Sequence, residues 1–359
     1  MKYSLICSLL VLYIIIKMYN IERYNKKNHD VIGSSASSHQ SIFTRPIIPN
    51  LIVPLRDHVH IRPVKVPLTP FTSPLLELPP LVGDKPNFLL WKPELLSPVR
   101  KQGECGSCWA FAACDMLSDR LTIRTGGVFR NNLSVQELLS CFDRDGCDGG
   151  SPEEACQWLE KTQKKLYVED SFEYTSSKGG YVMEPCPVDL TGDGVRVIPN
   201  STFSIVEFIE EEDYDENILK KNIENMKRAL IETGPFFCAM SVYDDLFDFD
   251  GLSVYKKREG ATLVGGHAIE IIGYCDKGID KRMGFKEDGY WICRNSWGDD
   301  WPTRTKLKGY FMVKMGVNEC GIESRCGFAD SIPDGIFDPN QRMLTMNEMR
   351  YTDYNDYLR

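Results

Sequence analysis

The chain's clearest chemical residue is Cys108. It stands at the start of a helical pattern in which Ala110, Ala113, Cys114, Leu117 and Leu121 share one face, ending before Gly126-Gly127. A thiol is a poor nucleophile and its thiolate a good one. The free N–H groups and dipole of a helix start favour that anion. A base must take the proton. Of the five histidines, His29, His39, His58 and His60 lie in the N-terminal leader, so His267 is the one imidazole left to the body of the chain. It can accept the thiol proton and later return it to a leaving group. Asn295 can accept a hydrogen bond from the second ring nitrogen and orient the imidazole. Gln102 and the Cys108 backbone N–H can hold an oxyanion, and losing one such donor costs about 3–4 kcal/mol. The chemistry these residues could perform is attack of a thiolate on a carbonyl.

Other chemistries fit less well. Zinc needs a second histidine or a paired Cys-x-x-Cys array, and the body has neither, so no metal is expected. Asp189–Gly194 lacks the alternating ligands and terminal glutamate of a calcium loop. No cofactor motif occurs. Residues 1–84 carry nine Lys or Arg against five Asp or Glu, a balance of +4; with −9 overall, the remainder carries −13. An acidic body argues against nucleic-acid partners and suits a basic leader that binds the body. Twelve of the 13 cysteines fall between Cys105 and Cys326, a density that favours an oxidising compartment.

The elements that must position these residues follow from pattern. Ser134 and Glu137 have capping-box spacing and open a short helix through Leu138-Leu139. Ser151-Pro152-Glu153-Glu154 reads as an N-cap, a proline at the first helical position and acids in the first turn. Leu219, Ile223, Met226 and Leu230 stripe a helix that ends at Gly234-Pro235. Phe236–Val242, His267–Tyr274, Asp288–Arg294 and Gly309–Met315 read as strands. A helical half followed by a mostly β half indicates an α+β fold of two packed units, with a cleft between them as the natural site.

Three runs now coincide. Cys105-Gly106-Ser107-Cys108-Trp109 resembles the active-site signature of papain-like cysteine peptidases. Gly265-Gly266-His267-Ala268 and Asn295-Ser296-Trp297-Gly298 match the same family in the same order, His267 lying 159 residues after Cys108 and Asn295 another 28 on. Over residues 86–331 the resemblance implies a two-lobe fold: a helical lobe at about 100–195 packed against an antiparallel, β-barrel-like lobe at about 196–331. It implies a thiolate–imidazolium pair, shielding of the His267–Asn295 contact by Trp297, and the disulfides Cys105–Cys147 and Cys141–Cys186. Matching positions place Gly266, Ala268 and Ala239 on the walls of the main selective pocket, Arg325 at its base and Gly150 beside it. Ser118-Asp119-Arg120 and Cys320-Gly321-Ile322-Glu323-Ser324 are similar to the cathepsin B branch. That branch carries two histidines on an inserted loop; here 161–190 has none, and Lys161, Lys164 and Lys165 are assigned to the preceding helix. An acid follows the second motif in cathepsin B, whereas this chain has Arg325, which predicts selection against basic side chains in the pocket.

The rest of the chain reads as a precursor. Ser4–Ile16 is almost wholly apolar between Lys2 and Lys17, which assigns 1–20 to a signal peptide or, alternatively, an uncleaved anchor through 4–16. Residues 41–100 hold 12 of 20 prolines, so 21–85 is expected to run extended as an inhibitory propeptide, its cleavage near Asp84–Asn87 easing at low pH. Residues 332–359 form a tail with no family counterpart. Asn132-Leu133-Ser134 and Asn200-Ser201-Thr202 are glycosylation triplets. The expected setting is the secretory pathway, in a lysosome-like acidic compartment or outside the cell, with membrane anchoring or a virus particle as alternatives. Expected partners are protein and peptide substrates, the propeptide, and cystatin-type inhibitors. The competing reading, a catalytically dead scaffold of the same fold, requires loss of the nucleophile or base, and all four residues are present.

Overall fold

The computed structural model describes residues 68–78, 85–142, 146–178, 184–210, 214–305, 307–334 and 350–351, all within one compact unit. The expected signal segment, the anchor at 4–16, most of 21–85 and most of the tail lie outside the described residues.

The molecule is built around α1 (Cys108–Arg124), buried on every side from Cys108 to Ile123. Small and apolar side chains, Ala110, Ala112, Ala113, Met116 and Leu117, let neighbours approach all round, as a central helix requires. It stops where Gly126 and Gly127 take φ of 60° and 84°, and Gly127 N–H returns to the Thr122 carbonyl at 2.8 Å. Helix α2 (Val135–Phe142) is capped by Ser134 Oγ, which accepts from Glu137 N–H at 3.0 Å. The reciprocal arm of the box is not made: the Glu137 carboxylate accepts from Tyr167 N–H at 2.8 Å and faces Lys164 at 3.4 Å. Helix α3 (Pro152–Thr162) begins at Ser151 as expected and ends at Gln163, with φ of 53°. Lys164 and Lys165 therefore lie beyond the helix, because the left-handed cap turns the chain away one residue before them. Helix α4 (Glu216–Glu232) buries Leu219, Met226 and Leu230.

Eleven strands follow among the described residues: β1 (Phe88–Trp91), β2 (Leu166–Tyr167), β3 (Gly194–Val197), β4 (Phe203–Ser204), β5 (Phe236–Tyr243), β6 (Leu263–Cys275), β7 (Tyr290–Arg294), β8 (Tyr310–Lys314), β9 (Cys326–Phe328), β10 (Ser331–Pro333) and β11 (Arg350–Tyr351). Strand β6 is the hub of an eight-stranded sheet ordered β11-β1-β6-β5-β9-β4, with β7 on the other edge of β6 and β8 beyond it. The sheet is antiparallel, as expected, and is open among the described residues. Among the described residues β4 and β8 do not pair, and closing a barrel needs its two edges joined.

The two halves also exchange their ends. Strand β1 crosses to pair with β6, Leu90 opposite Gly273. A Cβ on Gly273 would meet the Leu89 carbonyl at 2.3 Å, so the crossing needs glycine there. Strand β10 returns to pair with β3 and, through it, β2. Behind the future site, α1 is tied to the sheet by buried charges. Arg294 on β7 pairs with Asp119 at 2.8 Å and with Glu270, and Arg100 pairs with Asp115 and Glu169.

Candidate active site

Cys108 is the first residue of α1 and is 0% exposed. The loop before it is held from several directions. Cys105 is joined to Cys147, and Gly106 N–H donates to the Cys147 carbonyl at 2.8 Å. A Cβ on Gly106 would meet that carbonyl at 2.3 Å. The Tyr174 hydroxyl donates to the Gln102 carbonyl at 2.7 Å and so accepts from Ser107 Oγ at 2.8 Å. Tyr174 thereby joins the two chain positions flanking the cysteine loop. A second disulfide, Cys141–Cys186, ties α2 to the loop beyond Glu184.

His267 lies on β6, opposite Met240 of β5, and is 1% exposed. Its Nε2 stands 2.8 Å from Asn295 Oδ1. That oxygen also accepts Ser296 N–H at 2.8 Å, which fixes which end of the carboxamide faces the ring. An oxygen cannot donate, so Nε2 carries the proton and Nδ1 keeps the lone pair for the sulfur side. The Trp297 ring lies over this contact, 5.0 Å from the imidazole, and is itself stacked on Phe247 at 5.3 Å and met edge-on by Trp301 at 4.9 Å.

Gln102 is fully buried and clamped. Its amide accepts Ser296 Oγ–H at 2.6 Å, its Nε2 donates to the Cys105 carbonyl at 3.0 Å, and its backbone N–H donates to the Ser296 carbonyl at 2.8 Å. One of the two Nε2 protons remains after the Cys105 bond.

Burial sets the electrostatics. Desolvation pushes the Cys108 thiol up to about 12, although the backbone amides of Ala268, Trp109 and Cys108 itself pull the other way. Desolvation likewise lowers His267 to about 4 against the opposing Asn295 bond. With both groups out of water, burial favours the neutral thiol and imidazole over the ion pair that the family resemblance implies. A charged pair is expensive with both partners removed from water.

Four of the pocket positions lie on or next to neighbouring strands: Ala239 on β5, Gly266 and Ala268 on β6, and Arg325 just before β9. Ala239 of β5 pairs with Ala268 of β6, Gly266 with Ser241, and Ala239 N–H donates to the Arg325 carbonyl at 2.9 Å. Gly150 abuts Trp109, whose ring a Cβ would meet at 2.7 Å. Arg325 is 9% exposed; its Nε donates to the Leu68 carbonyl at 2.9 Å and its guanidinium lies 4.9 Å above the Phe208 ring. The alternative of pairing with Glu323 finds that carboxylate engaged by Trp291 Nε1 at 2.9 Å and by the Gly316 and Asn318 amides at 2.8 and 2.7 Å.

Residues 68–78 continue from Leu68 along the same face. Phe71 meets Phe237 edge-on at 5.8 Å. The Thr72 and Ser73 amides donate to Glu153 Oε1 at 2.8 and 2.6 Å, and Gln157 Nε2 reaches both hydroxyls. Leu76 N–H and the Pro74 carbonyl then bond the backbone of Ser204 at 2.7 and 2.9 Å. Sequence reasoning passed over Tyr174, Ser296 and this use of Glu153. Ser296 was open to view inside the Asn-Ser-Trp run, whereas Tyr174 and Glu153 act through long-range contacts that no local pattern signals. Of the glycosylation triplets, Asn200 is exposed in a turn with φ of 56° and Asn132 is half-buried. Among the described residues there is no cluster of metal-binding side chains and no helix long and apolar enough to cross a membrane.

The profile of the papain family cysteine proteases matches residues 86–329. Cathepsin B-like cysteine proteinase 6 of Caenorhabditis elegans is 33% identical over 280 residues, 72% of this chain and 67% of that protein. Cathepsin B-like cysteine proteinase 5 of the same organism is 32% identical over 249 residues, 64% of this chain and 68% of its own. Among solved structures, procathepsin B S9 of Trypanosoma congolense shares the fold with a TM-score of 0.60 at 22% identity, over 76% of this chain and 87% of that one. With a cysteine at a helix start, an imidazole oriented by an asparagine and a family profile over residues 86–329, the chain belongs to the papain family of cysteine proteases, on its cathepsin B-like side.

Proposed function

We propose that this chain is the precursor of an active endopeptidase that cuts protein substrates through a covalent acyl-enzyme. The observation that carries the reading is the His267–Asn295 contact, whose oxygen is fixed by Ser296 N–H so that Nδ1 is left as the proton acceptor toward Cys108. Once the cleft is opened to water, the desolvation that keeps both groups neutral is relieved, and the proton passes from Cys108 Sγ to His267 Nδ1. The thiolate attacks the substrate carbonyl. The remaining Gln102 Nε2 proton and the Cys108 amide stabilise the oxyanion. His267 then protonates the leaving amine, and a water deprotonated by the same imidazole hydrolyses the thioester. Trp297 keeps water from competing for the Nε2–Oδ1 bond.

The same proposal assigns residues 68–78, with the neighbouring proline-rich chain, to an autoinhibitory propeptide. Its support is the run of contacts from Leu68 on Arg325 to Leu76 on Ser204, together with the complete burial of Cys108. Little carboxydipeptidase activity is expected, since residues 161–190 lack the histidines that would hold a substrate carboxylate. Two disulfides and the apolar N-terminal run support an oxidising secretory setting, with cystatin-type inhibitors as natural ligands of the opened cleft.

Active-site labelling tests the reading. After removal of the leader to about Lys85, an epoxide or vinyl-sulfone thiol probe should label the protein once, at Cys108. Cys108→Ala should fold, keep both disulfides and lose both labelling and peptide hydrolysis. Absence of labelling in the trimmed wild-type protein would mean that the fold serves binding and not catalysis.

A further inference from the structure

Three cysteines that the mechanism does not use meet in the core beneath the selective pocket: Cys238 on β5, Cys293 on β7 and Cys326 on β9, each 0% exposed. Cys238 and Cys326 are direct partners in the β5–β9 register. The hydrogen bonds around them say which kind of partners. Ala239 N–H donates to the Arg325 carbonyl, so the bonded pair is the next one along. The Cys326 carbonyl instead accepts from Ile205 N–H, on the side of β9 away from β5. Cys238 and Cys326 are thus a non-hydrogen-bonded antiparallel pair, whose Cα atoms approach to about 4.5 Å with side chains on one face. That lies within the span of about 4.4–6.8 Å that a disulfide bridges.

Both side chains also point to one place. Cys238 Sγ lies 3.0 Å and Cys326 Sγ 3.1 Å from the carbonyl oxygen of Ile322. Cys293 is a poorer partner for either. Strand β6 runs between β5 and β7, which separates their Cα atoms by about 10 Å, two strand spacings. A disulfide cannot cross that distance without moving the backbone.

We propose that Cys238 and Cys326 are a third disulfide site, held in its dithiol form in this structure. In an oxidising compartment the co-reactant is a low-molecular-weight disulfide such as oxidised glutathione. One cysteine, as thiolate, attacks that disulfide and expels one thiol, leaving a mixed disulfide. The second cysteine attacks the protein-bound sulfur and expels the other thiol. Two protein thiols are oxidised and one disulfide is reduced to two thiols, each leaving with one of the two protons. Because both sulfurs are buried, the reaction belongs to folding, before β9 closes on β5. The bond sits one residue from two pocket positions, Ala239 after Cys238 and Arg325 before Cys326, and so fixes the spacing of those walls.

The test is a disulfide map of the full-length chain refolded in a mixture of reduced and oxidised glutathione. Free thiols are alkylated under denaturing, non-reducing conditions before digestion. The expected result is a cross-linked pair of peptides carrying Cys238 and Cys326, at a yield comparable to the Cys105–Cys147 pair and abolished by reductant. Cys326→Ala and Cys238→Ala should each leave the surviving partner alkylated, while Cys293→Ala leaves the cross-link intact. Recovery of Cys238 and Cys326 as alkylated thiols in a chain whose other two disulfides have formed would overturn the proposal. A cross-link from either one to Cys293 would do the same.

Discussion

Cys108 and His267 carry a proton inventory that can be read directly. With the thiol pushed up to about 12 and the imidazole down to about 4, burial favours a neutral, poorly nucleophilic sulfur in the full-length chain. Its reaction with a small alkylating agent should rise only toward strongly alkaline pH. The form starting near Lys85, with the pair rehydrated, should react at neutral pH at least about a hundredfold faster, since each pK unit is worth a factor of ten. Equal rates from the two forms across the pH range would remove burial as the cause. Arg325 allows a second prediction at this scale. Its guanidinium is turned inward onto a backbone carbonyl and not out to solvent. Like charges placed together in such a pocket cost several kcal/mol. Substrates with Phe two residues before the cut should therefore be cleaved at least about tenfold faster than those with Arg, as kcat/KM. Arg325→Glu should invert that order; if the variant matches the wild type on paired substrates, the guanidinium does not select.

At the scale of elements, α3 holds residues 68–78 by the Glu153 carboxylate and the Gln157 amide. Burial raises Glu153 above the usual carboxylate range, although the Ser73 and Thr72 amides and the Ser73 hydroxyl pull it down. The sign follows from linkage. A carboxyl raised by docking binds its proton more tightly when docked, so its contribution is full at acid pH and is lost as pH rises through the docked value. Glu153 thus works against the expectation of easier release at low pH, and acid release must come from other groups. A peptide of residues 54–84 titrated onto the form starting near Lys85 should show this. The wild type should gain affinity on acidification relative to Glu153→Gln, whose amide keeps an acceptor and has no charge to neutralise. If the wild type loses affinity in acid while the Gln variant stays flat, the sign assigned to Glu153 is wrong.

Across the whole molecule, Arg294 stands where helix and sheet meet. It faces Asp119 of α1 at 2.8 Å and Glu270 of β6, beside Asn295 of the site itself. Both carboxyls are raised by burial, with Arg294 opposing and neighbouring acids adding to the rise. Removing Arg294 leaves Asp119 and Glu270 without their cation, and breaking such a buried network costs about 3–5 kcal/mol. Arg294→Met should lower unfolding stability by that amount in urea melts of the full chain. Replacing Arg294, Asp119 and Glu270 together by apolar residues of similar volume should recover most of the loss. A full-size loss in the triple variant would show that shape at this position matters more than charge.

Much of this was legible along the chain because it is local. The start of α1 at Cys108, its end at Gly126-Gly127 and the Ser151-Pro152 opening of α3 depend on neighbours a few residues away. The motifs around Cys108, His267 and Asn295 were likewise local, and their resemblance to the papain-like peptidases named the chemistry. What the tertiary structure decided involves partners far apart in sequence. Glu137 left its capping box for Tyr167, whose strand N–H donates to the buried carboxylate from 30 positions away. Strand β1 crossed to β6 where Gly273 makes room, and the sheet stayed open among the described residues. Gln102 is aimed by Ser296, 194 positions away, and Arg325 is answered by Leu68, 257 away. Burial also shifts Cys108 and His267 toward their neutral forms, because desolvation depends on everything packed around a group and on nothing in its own name.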